Sequence, residues 1–210
     1  MKKFASFLIV LCLTAAAPAV RAQASSAPQQ AQQPPTVEST LDSFYGIVER
    51  QVVSAAEAMP EDKYSFAPTN GEFKGVRTFA EEVKHIGFAN HLFFGPLMGE
   101  NIDVKSLEQN TNGPADLKTK AEILQYLKDS FALGHRAIAT ITAENQVTVL
   151  AKPVLPFLNT RLAIANIGAW HSGDHYGQMV EYLRMNGIIP PASRPRPSQQ
   201  PASSQPKPQQ

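Results

Sequence analysis

Apolar residues recur at gaps of three and four along most of this chain, and no other feature narrows its fold so far. Between residues 37 and 59 they fall at Leu41, Phe44, Val48, Val52, Ala55 and Met59, which is one face of a helix. Pro60 ends that stretch, and residues 61–75 form a turn-rich connection containing Pro68, Asn70, Gly71 and Gly75. A second stretch, from about residue 76 to 94, carries Phe79, Val83, Ile86 and Phe93 on its stripe, with Leu97 beyond, and Gly95-Pro96 interrupts it. After a polar loop with Asn112-Gly113-Pro114, Thr119 and Glu122 have the spacing of a capping box. They open a third stripe of Ile123, Leu127, Phe131, Ile138 and Ile141. Asn159 or Thr160 caps a fourth helix that runs to about Met185, where Asn186-Gly187 and then Pro190-Pro191 stop it. The run Val147-Thr148-Val149-Leu150 is β-like but too short to found a sheet. Four amphipathic helices bury their stripes most simply against one another, so the expected fold class is all-α, a four-helix bundle.

The ends of the chain have another character. Lys2 and Lys3 precede an apolar run over residues 4–17, and small residues follow at Val20-Arg21-Ala22 and Ala22-Gln23-Ala24. Residues 1–24 therefore read as a secretory signal peptide. Cys12, the one cysteine of the chain, lies inside it, after a Leu11 that does not suit lipid attachment. The mature chain would then have no disulfide, thiolate ligand or cysteine nucleophile, and a metal would fall to His, Asp or Glu. Residues 25–36 are a flexible linker, residues 37–191 the domain, and residues 192–210 a Pro/Gln/Ser-rich disordered tail. A formal net charge of +1 does not favour nucleic acid as a partner. No later apolar run is long enough to cross a bilayer, which leads to a soluble protein, secreted or periplasmic, with no stable membrane insertion after signal cleavage.

The chemistry is concentrated in Trp170-His171-Ser172-Gly173-Asp174-His175-Tyr176-Gly177-Gln178. Histidines four apart on a helix stack on one face about a turn apart, within reach of one metal ion. By helical phase His171 and His175 share their face with Ile164, Gly168, Met179 and Tyr182, so both rings point inward. An inward imidazole needs partners for its donor and its acceptor, and a metal satisfies one nitrogen of each ring. Two core histidines bonded to backbone carbonyls or water are the alternative that this spacing leaves open. His85 lies at the margin of the second stripe, His91 on another side and His135 beside the third stripe as a hydrogen-bonded flank residue. Asp174 points away from the histidine face. Tyr182, two turns from His175 on the same face, is the tyrosine placed to offer a hydroxyl there.

Several stretches together resemble a known family. His171-x-x-x-His175-x-Gly177-Gln178, then Tyr182-Leu183-Arg184 and Gly187-x-x-Pro190, is similar to the last helix of the DinB-like superfamily. Met59-Pro60-Glu61-Asp62 and Pro68-Thr69-x-Gly71-Glu72-Phe73 resemble its first linker, with Phe73 where relatives commonly carry Trp. Thr78-Phe79-x-Glu81-x-x-x-His85 looks like its second helix. The resemblance implies a bundle in up-down-down-up order, often a homodimer. It also implies a divalent ion, zinc or nickel, held by His85, His171 and His175.

Characterised relatives are thiol-dependent transferases and isomerases, so the resemblance implies an unknown small-molecule substrate with a low-molecular-weight thiol as co-substrate. Such thiols are chiefly cytoplasmic, and export argues against that reaction more than against the metal. Three functional readings follow. One is a metal-dependent transferase or hydrolase, with no catalytic side chain identified beyond the ligands. The second is a non-catalytic metal- or ligand-binding bundle for sequestration or stress protection, with Phe88, Phe93 and Phe94 packed across the open positions. The third is a metal-free interaction module.

Overall fold

Each of the four apolar stripes becomes a helix, and each helix is started by a threonine. The computed structural model describes residues 34–100, 111–153 and 155–195. The expected signal peptide, the linker to residue 33 and the tail from residue 196 lie outside the described residues, as does part of the polar loop, 101–110. Helix α1 spans Val37–Ala58, α2 Phe79–Phe94, α3 Lys120–Ile138 and α4 Arg161–Met185. Among the described residues there is no strand, only two isolated bridges, Val149 with Thr160 and Leu155 with Leu158. No described helix is long and apolar enough to cross a membrane.

Thr36, Thr78, Thr119 and Thr160 each accept a backbone N–H from the first turn of their helix. In the first three the N3 side chain returns the bond to the cap's own N–H. These reciprocal bonds satisfy donors that a helix start otherwise leaves open. At the other end of α4, Gly187 takes φ +72° while Gly187 N–H donates to Arg184 O and Ile188 N–H to Leu183 O. That pair of bonds needs a left-handed residue, which explains the glycine.

Cross-helix contacts fix the order. Asp42 and Glu49 of α1 meet His135 late in α3, while Glu57 meets Lys128, so α1 and α3 are antiparallel. Gly87 lies against Tyr126 and Asn90 against Ser130, so α2 and α3 run parallel. Glu82 bonds His175 and Phe94 faces Gly168, so α2 and α4 are antiparallel. The result is up-down-down-up, with α1 and α2 each packed between α3 and α4.

Between the helices Tyr45, Val52, Phe79, Val83, Ile86, Phe94, Leu127, Phe131, Ile138 and Met179 are fully enclosed. Burial of such side chains stabilises by about 1.5–3 kcal/mol each. Two details differ from the periodicity. Helix α2 starts at Phe79 rather than near residue 76, because Thr78 takes the extended cap conformation. Phe44 is 57% exposed while Tyr45 is buried, so the inward face of α1 runs Tyr45, Val48, Val52 and Ala55. One residue along a helix is a rotation of about 100°, enough to take Phe44 out of the core.

Candidate metal centre

His85 enters from the middle of α2, and His171 and His175 come from consecutive turns of α4. Ring centroids lie 5.0 Å apart for His85–His171, 4.5 Å for His85–His175 and 4.6 Å for His171–His175. One nitrogen from each falls within 4.8 Å of the others, so the three can hold a single ion. Among the described residues no other group of three or more His, Cys, Asp or Glu does so. The inward face read for α4 is present as well: Ile164, Gly168, His175, Met179 and Tyr182 are all buried.

Hydrogen bonds decide which nitrogens are available. His85 Nδ1 lies 2.5 Å from the carbonyl oxygen of Thr111, and His175 Nδ1 lies 2.6 Å from Glu82 Oε2. A carbonyl and a carboxylate only accept, so Nδ1 donates in both rings, and Nε2 is the nitrogen left to meet an ion. His171 Nδ1 is buried without a hydrogen-bond partner. An orphaned ring nitrogen beside two fixed imidazoles, all from a donor type suited to divalent transition metals, fits an ion at this point.

The electrostatics favour the ligand form. Burial lowers the pKa of His85 to about 4, with Arg77 and His175 pulling the same way. Burial, then the neighbouring His175 and His85, lowers His171 to about 3. Both rings are neutral at neutral pH, as metal ligation requires. Desolvation thus disfavours a proton on them while leaving their lone pairs ready.

The loop before α3 is built onto this centre. Gly113 has φ +77°, and a Cβ there would sit 2.7 Å from the carbonyl oxygen of Lys84. Lys84 Nζ donates to Pro114 O, and the Arg77 guanidinium donates to Asn112 Oδ1 and Thr111 Oγ1. These contacts hold the Thr111 carbonyl over His85. Beside it opens a polar cavity of about 500 Å³, lined by Arg77, Glu81, Glu82, Thr111, Asn112 and Gln178 among others. It meets the histidine cluster through Glu82 and Thr111, on the Nδ1 side of the rings.

Remaining candidates have other roles. His91 is half exposed, stacks on Tyr126 at 5.5 Å and faces Glu100. His135 is bonded to Asp42 and Glu49 on its two nitrogens, a flank residue as expected. Asp174 is exposed and accepts from the Gln178 amide at 3.4 Å. Tyr182 donates its hydroxyl to Arg77 O, so it braces the entrance to α2. Phe93 meets His171 edge-on at 5.5 Å and Phe88 lies 6.4 Å from His85, but Phe94 turns into the core against Tyr45.

Glu82, Thr111 and Arg77 are the site residues that the sequence reading missed. Glu82 carried a usable signal, because Phe79, Glu82, Val83 and Ile86 share one helical face and a carboxylate interrupts it. The Thr111 carbonyl carried none, since any residue supplies that group.

A model of the DinB superfamily matches residues 46–179, from within α1 to the turn of α4 after His175. A search among functionally curated proteins gave no match. The match covers well over half of the chain, and the up-down-down-up helices with three inward histidines agree with it. This chain belongs to the DinB superfamily.

Proposed function

We propose that this protein binds a divalent transition-metal ion, zinc or nickel, through His85, His171 and His175, and uses it on a small-molecule substrate outside the cytoplasm. The observation that carries the reading is the convergence of three imidazoles on one point, with Nδ1 of two of them engaged by a carbonyl and a carboxylate. Three protein ligands leave coordination positions for other molecules, the feature that separates catalytic from closed structural sites. The ion would supply Lewis acidity toward a thiol or an oxygen donor. The protein's own part is to hold the rings: Glu82 and the Thr111 carbonyl engage Nδ1 of His175 and His85, and the edge of Phe93 packs on His171. The chain reads as a transferase or hydrolase, secreted or periplasmic and homodimeric.

A second reading, a non-catalytic binder that sequesters metal, draws support from Phe93 and Phe88 beside the histidines. Elemental analysis of full-length protein purified without an affinity tag tests the shared claim. About one equivalent of zinc or nickel is expected in the wild type, and far less in His171→Ala. A wild-type ratio near zero would overturn both readings. Turnover of thiol and electrophile pairs by the loaded wild type, lost in His171→Ala, would favour the enzyme; equal rates would exclude a metal mechanism.

A further inference from the structure

The three histidines are supported in three different ways. His85 leans on a neutral carbonyl, His171 Nδ1 has no partner, and His175 donates to a carboxylate. That carboxylate belongs to Glu82, which is only 2% exposed and sits in the first turn of α2 between Phe79 and Val83. A buried carboxylate is expensive in free energy unless it is paired, and an apolar residue at this position would continue the stripe without that penalty. Its pairing is uneven: 2.6 Å to His175 Nδ1 but 3.9 Å to the nearest Arg77 nitrogen. Arg77 is committed elsewhere, to Asn112 and Thr111, with its carbonyl held by Tyr182. Folding alone gives a carboxylate little reason to stand here, and its close contact is to a ring of the three-histidine cluster.

Resting on the metal reading above, we infer that Glu82 is the positioning residue of the centre. It fixes the tautomer and angle of His175 and strengthens Nε2 of that ring as a donor. A carboxylate accepting from Nδ1–H pushes electron density toward Nε2, which a carbonyl does less and an absent partner not at all. Its negative charge also offsets part of the charge of a bound dication. His175 is thereby the strongest of the three donors, and Arg77 faces the same carboxylate from the cavity at 3.9 Å.

The test uses full-length Glu82→Gln, Glu82→Asp and wild type, each titrated with Zn²⁺ against a competing chelator. Cobalt loading gives a visible spectrum that reports the ligand geometry. Glu82→Gln keeps an acceptor but loses the charge, and its zinc affinity is expected to fall about 10–100-fold. Glu82→Asp is expected to recover part of that loss, and the cobalt bands to shift in Glu82→Gln. Metal-free Glu82→Gln should melt at or above the wild-type temperature, a response that a merely structural role would not give. Unchanged zinc affinity with an unchanged cobalt spectrum would overturn the inference. So would a fall in affinity that follows a fall in metal-free melting temperature. Wild-type protein that takes up no ion would sink the metal reading and this inference with it. Wild type that binds tightly beside an equally tight Glu82→Gln would sink this inference alone.

Discussion

At the scale of single residues, the distance between α2 and α4 is set by an atom that is missing. A Cβ on Gly168 would sit 2.5 Å from Cζ of Phe94, a ring fully enclosed and packed edge-on against Tyr45 at 5.2 Å. Gly168→Ala would gain about 1 kcal/mol of helix propensity. It would lose about 1–3 kcal/mol to overpacking, because the Phe94 ring has no free space to move into. The loss wins, and a net destabilisation on the order of 1 kcal/mol is expected in urea unfolding. Separating α2 from α4 also pulls His85 from His171, so zinc affinity should fall in the same variant. Stability equal to wild type would show that the helices can part without strain. The sequence shows Gly168 on the histidine face, but it does not show why a glycine stands there. That depends on Phe94, a residue of another helix, and no spacing within α4 reveals it.

Helix ends were legible where the signal is local. Thr119 with Glu122 reads directly as a box, and the box is present. Thr78 with Glu81 has the same spacing, yet the apolar pattern drew the start of α2 back toward Val76, since periodicity marks a face more sharply than an end. The Thr78 box is also the one nearest the three-histidine cluster. Glu81 accepts from Thr78 N–H and, through its other oxygen, from the Asn112 amide, so one carboxylate joins the start of α2 to the loop that carries Thr111. Thr78→Ala removes the side-chain acceptor for Glu81 N–H. A stability loss of about 1 kcal/mol is expected, with an unchanged slope of free energy against denaturant. A changed slope would mean that α2 frays in the folded protein. Helix α4 was legible in a different way, through the phase of its two histidines. It buries Ile164, Gly168, His175 and Met179 but exposes Trp170 at 64%, so its outer face is no guide. The chain of Ser172, Asn90 and Ser130 across α4, α2 and α3 was invisible beforehand, because small polar residues in a helix read equally as surface.

For the molecule as a whole, two histidine groups on different helix interfaces push stability in opposite directions around neutral pH. At the α1–α3 interface His135 places Nδ1 against Asp42 and Nε2 against Glu49, and both nitrogens can donate only in the protonated ring. Arg50 and His135 both lie over Gly46, and Tyr45 packs on the His135 ring at 5.1 Å. Burial pulls the His135 pKa down, but the bonds and charges of the two carboxylates outweigh it, and the value is raised above 6.5. A raised folded-state value gives stability that is complete below about 6.5 and is lost as pH rises through the folded value. His85 and His171 behave conversely. Their lowered values, about 4 and about 3, give stability present above 6.5 and lost as pH falls toward them. The limit is about 1.4 kcal/mol per pH unit for each proton, reduced by solvent screening. Metal-free wild type should therefore be most stable near neutrality, declining gently toward pH 8 and more steeply toward pH 5. Denaturant unfolding of chelated full-length protein across that range measures both limbs. His135→Gln should flatten the alkaline limb and leave the acid limb in place. His171→Ala should make the acid limb shallower without touching the other. An alkaline decline that survives in His135→Gln would mean that the two carboxylates around that ring do not hold α1 against α3.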